Sequence, residues 1–179
     1  MLDNTDNKIK TVFDECRDIF KKKLKDYGAS WRIMRSTSIT DQIFIKANRI
    51  RSIQILGNSM VDDSIESDFM GIVNYGIIGM IQAEMPLVVE PDMTEDEAVA
   101  LYDKYKDETY SLLLRKNHDY GNAWKSLRID SLVDLILTKV YRTKQIEDND
   151  GVTLISEGVN ANYMDMINYS VFAIIKLRE

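Results

Sequence analysis

Two stretches of the chain share a short motif that combines a carboxylate with two aromatic rings. The pattern Asp-Tyr-Gly-x-x-Trp occurs at residues 26–31 and again at residues 119–124. Glycine at this spacing is typical of a left-handed helix end, and the tryptophan would fill core. The aspartate has no such explanation, because negative charge opposes the dipole at a helix C-terminus. Asp119 is therefore a candidate catalytic residue, with Tyr120 and Trp124 as candidate ligand contacts.

Basic residues follow each motif at matching positions. Lys46 precedes Arg49 by about one helical turn, Lys139 precedes Arg142 by the same spacing, and Arg128 follows the second tryptophan. Cations that share one helix face suit the binding of a phosphate group. Ion pairing on a solvated face is the more common role for a pair seen once. Their presence in both stretches favours a ligand-binding role for these five residues.

Two asparagines interrupt otherwise apolar helices. Asn74 and Asn168 lie among isoleucine, valine, methionine and phenylalanine, and Tyr169 follows the second of them. A buried amide without a partner costs about 1–3 kcal/mol. Such an amide can read the edge of a nucleobase, or it can pair with its counterpart and determine helix register. The sequence leaves both interpretations open, and all three residues are candidate ligand contacts.

Two acids at the start of the last helix could hold a hard cation. Asp165 lies one turn before Asn168, and Glu157 lies about two turns earlier still. Carboxylate oxygens in this arrangement favour Mg²⁺, so Asp165 is a candidate catalytic and metal-binding residue and Glu157 a candidate metal ligand. For Glu157 taken alone, a favourable charge in the first helical turn is the better explanation. Gly71 occupies the position that matches Asp165, so any metal site would be asymmetric.

All these residues belong to two tandem copies of one unit. Residues 26–53 align without a gap with residues 119–146, and after a one-residue insertion Asn74 aligns with Asn168. Similarity at a fixed offset indicates an internal duplication. We predict three segments along the chain: a first repeat at residues 1–84, a linker at residues 85–93 and a second repeat at residues 94–179.

Each repeat is predicted to form three helices, which makes the protein all-α. Capping-box spacing predicts helix starts at Thr94, at Ser38 with Asp41, and at Ser131 with Asp134. The third helices, at residues 63–84 and 156–176, are apolar nearly all round and are expected at the centre of the molecule.

Small residues indicate how these central helices meet. Gly71, Gly76 and Gly79 lie in the first of them, and Ser170 and Ala173 match the last two in the second. Side chains of this size allow two backbones to approach closely. We expect the central helices to pack together about a pseudo-twofold axis within one helical bundle, as if a homodimer had been fused.

Composition limits the classes of partner. The 179 residues carry a net charge of −6, and this balance argues against general nucleic-acid binding. The single Cys16 and a polar N-terminus without signal-peptide features predict a cytoplasmic protein. The apolar stretch at residues 69–81 is too short to span a membrane. A small anionic ligand is compatible with this balance, because a few local basic groups suffice for it, and self-association is compatible with the sequence.

The combination of Asp-Tyr-Gly-x-x-Trp, Asp-x-x-x-x-Lys-x-x-Arg and a closing Asn-Tyr resembles the nucleotide-modification-associated domain family of bacteria and phages, here in tandem. Residues 162–169 also resemble the last metal-binding helix of the MazG-like all-α nucleoside triphosphate pyrophosphohydrolases, which carries Glu-x-x-Asp. Asp165 falls on that aspartate, but Asn162 replaces the glutamate. Lys139 and Arg142 also stand where those enzymes have an acidic middle helix. The second resemblance implies a MazG-like fold more than an activity.

Three functions are compatible with these features. The first is nucleotide processing, with an Mg²⁺-dependent nucleoside triphosphate pyrophosphohydrolase as the specific form. The second is a non-catalytic nucleotide-binding or scaffold module that assists a base-modifying enzyme. The third is a structural role in which the polar residues determine helix register. Activity requires that ionisable side chains from separate segments meet around one pocket.

Overall fold

The computed structural model describes residues 4–179, so residues 1–3 of the predicted first repeat lie outside the described part. The described residues form six α-helices and no strand. The helices are α1 (Thr5–Tyr27), α2 (Ser36–Leu56), α3 (Ile65–Glu84), α4 (Glu95–Tyr120), α5 (Ile129–Asp148) and α6 (Val159–Leu177). Short 3-10 turns follow α1 and α4, at Ser30–Ile33 and Ala123–Ser126. The predicted all-α fold is confirmed.

The two repeats interlock, since each helix of the first packs against its counterpart in the second. The contact between α3 and α6 is the most extensive, and α2 packs against α5 and α1 against α4. Most residues of α3 and α6 are buried, which explains their nearly uniform apolar character. Even so, none of the helices in the described part combines the length and hydropathy that crossing a bilayer requires.

Two of the three glycines in α3 mark the close approach to α6. A Cβ atom at Gly76 would lie 2.7 Å from Ile167 Cγ1, and one at Gly79 would lie 2.8 Å from the Tyr163 ring. The prediction of tight backbone packing is therefore confirmed for these two positions. It is wrong for Gly71, which faces the Lys46 side chain on α2 instead of α6.

Equivalent ion pairs join α2 and α5 across the pseudo-twofold axis. Lys144 Nζ lies 3.1 Å from Asp41 Oδ1, and Arg51 Nη1 lies 3.9 Å from Asp134 Oδ1. The predicted capping boxes at Ser38 and Ser131 are wrong. Asp41 and Asp134 form these ion pairs with the opposite repeat instead of capping the start of their own helices. Both helices also begin earlier, after Arg35 and Arg128, whose extended backbones precede the first turn without a side-chain cap. The capping box at Thr94 is present as predicted.

The shared motif ends α1 and α4 as its glycine suggested. Gly28 and Gly121 have φ of 68° and 59°, and each backbone N–H donates to a carbonyl of the last helical turn. A side chain would strain either backbone, although neither glycine faces a crowded space. Trp31 and Trp124 are buried in the core. The predicted left-handed helix end is confirmed at Gly121, whereas Gly28 combines its positive φ with ψ of −163° and lies outside the left-handed helical region. The predicted burial of the two tryptophans is confirmed.

A buried arginine holds the 3-10 turn that follows α1. The Arg32 side chain is fully buried and donates to Gln82 Oε1 at 3.0 Å and to the Pro86 carbonyl at 2.6 Å. Its Nε atom lies 3.0 Å from the Asp92 carboxylate, and Gln82 donates back to the Arg32 carbonyl at 2.8 Å. These contacts fasten the segment between the repeats to the turn that carries Trp31.

The α2–α5 contact contains one carboxyl group with a pH-dependent effect on stability. Both Glu147 oxygens are buried without a hydrogen-bond partner among the described residues. Burial raises the pKa of Glu147 from 4.5, and the nearby Thr40 hydroxyl opposes this only in part. The folded chain therefore holds the proton more tightly than the unfolded chain, and ionisation destabilises the fold as the pH rises above 4.5.

Glu147→Gln is accordingly expected to raise the free energy of unfolding at pH 7 by about 1 kcal/mol, because it removes a charge from a buried site. The gain should disappear below pH 4.5, where the carboxyl is protonated in both states. Urea denaturation at pH 7 and at pH 4 measures both values. Asp148→Asn, on an exposed neighbour, provides the control, and an equal gain at both pH values would contradict the assignment to Glu147.

Candidate functional site

The predicted acid Asp165 lies between two lysines in the second repeat. Its Oδ2 atom is 2.8 Å from Lys139 Nζ on α5, and its Oδ1 atom is 3.1 Å from Lys116 Nζ on α4. Burial raises the pKa of the adjacent Tyr169, with the charge of Asp165 adding to the effect and that of Arg142 opposing it. Asp165, Lys139, Tyr169 and Arg142 are thus close together, as predicted, but both carboxylate oxygens are already occupied.

Three other predicted residues are exposed. The Asp119 side chain is 77% exposed and lies 3.2 Å from the His118 ring. Tyr120 is largely exposed, although its hydroxyl is near enough to influence Tyr169. Arg128 is exposed at the start of α5. The structure therefore does not bring Asp119 or Arg128 to the position that the sequence suggested.

The acids do not fit an Mg²⁺ site held by the protein. Glu157 is exposed and lies two residues before α6 begins, so its predicted place in the first turn of that helix is wrong. No three side chains of histidine, cysteine, aspartate or glutamate converge anywhere within residues 4–179. Asp165 faces two ammonium groups, and the cation site that an adjacent pair of carboxylates would provide is missing at that position.

The first repeat carries its carboxylate one helical turn away from the equivalent position. Gly71 on α3 stands where α6 has Asp165, while Asp68 stands where α6 has Asn162. Asp68 forms a close ion pair with Arg49 and lies 3.9 Å from Lys46 Nζ. The acid thus neutralises the arginine of α2 in the first repeat and the lysines in the second.

This shift leaves a cleft in the first repeat with a volume of about 460 Å³. We call it the first-repeat cleft, and it lies between α1, the following 3-10 turn, α2 and α3. The side chains that matter for its chemistry are Lys23, Tyr27, Trp31, Lys46, Asp68 and Tyr75, with Gly71 at its wall. Of these, only Lys46 was among the predicted ligand-binding residues. The sequence signal for this cleft was Gly71 at the position that matches Asp165. It indicated a missing metal ligand and did not indicate space for a bound molecule.

Larger side chains occupy the corresponding place in the second repeat. The Trp124 and Phe172 rings stack with centroids 4.5 Å apart and planes at 5°, whereas Ile78 stands at the position equivalent to Phe172 in the first repeat. Trp124 Nε1 also donates to Asn117 Oδ1 at 3.0 Å. By contrast, Trp31 Nε1 is buried without a partner among the described residues. The predicted contact residue Trp124 is therefore engaged by the protein itself.

The two asparagines differ in how the protein satisfies them. Asn74 borders the first-repeat cleft, but its Nδ2 donates to the Cys16 carbonyl at 3.0 Å and its Oδ1 accepts from the Tyr102 hydroxyl at 2.7 Å. The amide thus links α3 to both α1 and α4, and it does not pair with Asn168. Asn168 Oδ1 is buried without a hydrogen-bond partner inside the described chain.

A second, more open groove of about 1060 Å³ lies between α5 and residues 149–158. It brings together the predicted residues Lys139, Arg142 and Glu157. Arg142 is exposed and makes no ion pair with any residue of the described segment. Its counterpart Arg49 donates to the Asp63 carbonyl at 2.8 Å and so holds the preceding loop. The arginine of α2 is therefore paired with an acid in the first repeat, whereas its counterpart on α5 has no such partner among the described residues.

Comparison with known proteins gives one match. A family model described as nucleotide modification associated domain 1 matches the chain twice, over residues 23–83 and over residues 116–177. Each match begins in the last turns of the first helix of a repeat and extends through its third helix. No curated protein and no solved structure matches the chain. The similarity of α6 to the MazG-like enzymes stays a prediction from the sequence.

Proposed function

Because this chain belongs to the nucleotide modification associated domain 1 family, we propose that it binds a nucleotide in the first-repeat cleft. The family description supports a role connected with nucleotides, and the size and the lysines of the cleft support it as the binding site. Its volume lies within the roughly 300–1,000 Å³ of pockets for small molecules. The observation that carries the proposal is a pair of lysines, Lys23 and Lys46, whose counterparts in the second repeat already hold an anion.

The two lysines would hold the phosphate. Lys116 and Lys139 bind the two oxygens of one carboxylate at 3.1 and 2.8 Å, and Lys23 and Lys46 occupy the equivalent positions. Lys23 is exposed and makes no ion pair with residues 4–179, and Asp68, which lies 3.9 Å from Lys46 Nζ, is bound more closely by Arg49. That contact is longer than the 2.8 and 3.1 Å of the second repeat, so both ammonium groups have donors for a pair of phosphate oxygens.

The aromatic side chains would contact the base or the sugar. Burial raises the pKa of Tyr27, and Tyr75 lies close enough to add to this effect. Trp31 forms part of the same wall. A nucleobase that stacks on rings of this kind gains about 1–3 kcal/mol per base, and the rings place few demands on base identity.

We favour binding without turnover. The donor set offers no converging acids for a metal ion, and in each repeat the single carboxylate at these positions is held by cations. The pyrophosphohydrolase hypothesis requires such acids, so its specific form receives no support from the side-chain arrangement. Assistance to a base-modifying enzyme is compatible with a binding module and stays a prediction.

The experiment is a titration of the purified protein with nucleoside 5′-mono-, di- and triphosphates, with and without Mg²⁺. Calorimetry should give one site per chain for at least one of them, and inorganic phosphate release should stay at the background rate. Binding should also change the fluorescence of Trp31 in a Trp124→Phe variant. Failure of every nucleotide to bind would overturn the proposal, and Mg²⁺-dependent turnover would replace it with the hydrolase.

Lys23→Ala should weaken that binding by about tenfold, because it removes one of the two charge-assisted contacts to phosphate. The Kd from the same titration measures the effect. Lys21→Ala provides a matched control, since Lys21 is an exposed lysine of α1 outside the first-repeat cleft. Equal effects of the two substitutions would show that general surface charge attracts the ligand.

A further inference from the structure

We propose that the second repeat is a latent version of the same nucleotide site, in which the Asp165 carboxylate occupies the place that the ligand's phosphate takes in the first repeat. The inference rests on the proposed function, because it assumes that Lys23 and Lys46 bind phosphate. It adds a specific consequence, namely one ligand per chain and a second site that a change at one position can open.

The geometry of Asp165 is that of a bound anion. Each of its two oxygens faces a different lysine, at 2.8 Å for Lys139 and 3.1 Å for Lys116. A phosphate monoester can present two oxygens to two ammonium groups in the same way. The side chain is only 13% exposed, so the ion pair lies where solvent weakens it less than on an open surface.

The position of the acid differs by one helical turn between the two repeats, whereas the positions of the lysines are the same. The first repeat has Asp68 and Gly71, and the second has Asn162 and Asp165, so each carries one carboxylate at these two positions. In the first repeat the carboxylate pairs closely with Arg49 and lies at the longer distance of 3.9 Å from Lys46, so it neutralises the lysines less than Asp165 does. In the second it faces the lysines and leaves Arg142 without an acid. One helical turn therefore separates an open anion site from a closed one.

The tyrosine pair of the cleft recurs in the second repeat. Tyr120 and Tyr169 repeat the neighbouring pair Tyr27 and Tyr75: burial is the main cause that raises the pKa of Tyr169 and of Tyr27, and Tyr120 and Tyr75 respectively add to it. Phe172 fills the space where the first repeat has the smaller Ile78, and it stacks on Trp124. Removal of the internal carboxylate thus frees the two lysines, and removal of the extra ring volume widens the site.

The test is the number of nucleotides bound per chain by the Asp165→Gly/Phe172→Ile double variant. Calorimetric titration would use the 5′-monophosphates of the four common ribonucleosides and deoxyribonucleosides, since one phosphate replaces one carboxylate. The wild-type protein should bind one equivalent and the double variant two, with the second Kd within about tenfold of the first. Glu157→Gly removes a nearby exposed acid and should leave the stoichiometry at one.

Asp165→Asn provides a second route, because it keeps the side-chain size and removes only the charge. It should add a weaker second equivalent even if the double variant fails to fold by circular dichroism. A folded double variant, or a folded Asp165→Asn protein, that still binds one equivalent would overturn the latent site while leaving the proposed function intact. A wild-type protein that binds none of these nucleotides would instead count against both.

Discussion

Nucleotide binding is expected to fall by at least a hundredfold when Gly71 is replaced by aspartate. The Gly71→Asp side chain would lie at the position of Asp165, between Lys46 and Lys23, and would neutralise both. Each charge-assisted contact to the ligand is worth about 1.5–3 kcal/mol, and the loss of two corresponds to a factor of a hundred or more in Kd. Calorimetric titration with the nucleotide that binds the wild-type protein measures it.

Local crowding does not prevent this substitution from folding. A Cβ atom at Gly71 would meet Cε and Cδ of Lys46 at 2.7 and 2.8 Å, which are flexible parts of a long side chain that can move aside. The second repeat shows that a lysine and an aspartate fit together at these positions. Unfolding by urea should therefore show a change within about 1 kcal/mol, the usual range for a substitution without a buried defect.

Two controls separate charge from size. Gly71→Ala displaces Lys46 without adding a carboxylate and should weaken binding by no more than about tenfold. Asn58→Asp adds the same charge on the exposed loop after α2 and should have little effect. Wild-type affinity in Gly71→Asp would contradict the assignment of the phosphate to these lysines.

The second large effect is on stability and distinguishes the two asparagines. Asn74→Leu should lower the free energy of unfolding by about 2–3 kcal/mol, because the buried Tyr102 hydroxyl loses its acceptor and the Cys16 carbonyl loses a donor. Asn168→Leu should leave that free energy unchanged or raise it, since its Oδ1 has no partner among the described residues to lose. Urea denaturation of both variants at pH 7 provides the comparison.

A double variant identifies the source of the loss. Asn74→Leu/Tyr102→Phe removes both the amide and the hydroxyl, so no donor is left unpaired at the α3–α4 contact. It should recover about 1 kcal/mol or more relative to Asn74→Leu alone. Equal destabilisation by Asn74→Leu and Asn168→Leu would show that the contact to Tyr102 is not what makes Asn74 important.

Much of the fold followed from local patterns in the sequence. The three helices per repeat and the glycine ends at Gly28 and Gly121 depend on residues a few positions apart, and the duplication shows as matching residues at a fixed offset. The errors arose where several local patterns were available. Ser38 and Asp41 have capping-box spacing, but α2 begins after Arg35, and Asp41 is drawn to Lys144 of the opposite repeat.

The candidate site was harder to predict because it depends on partners that are distant in sequence. Asp165 stands out in the sequence as an acid in an apolar helix. Its partners Lys116 and Lys139 come from two other helices, and nothing local to α6 reveals them. The sequence also showed Gly71 opposite Asp165, but whether a missing side chain leaves a closed gap or an open cleft depends on how α1, α2 and α3 pack around it.

The sequence by itself determined the helical class, since helix periodicity and end signals act over one or two turns. It also determined the repeat, through matching residues at a fixed offset, and the polar residues that interrupt apolar helices. The tertiary structure alone decided which cation each carboxylate meets. An ion pair requires approach within a few ångströms. Asp68 and Asp165 lie at positions that differ by one helical turn between the repeats, so the first pairs most closely with an arginine and the second with two lysines. That difference distinguishes the repeat with an open cleft from the repeat that holds its own anion.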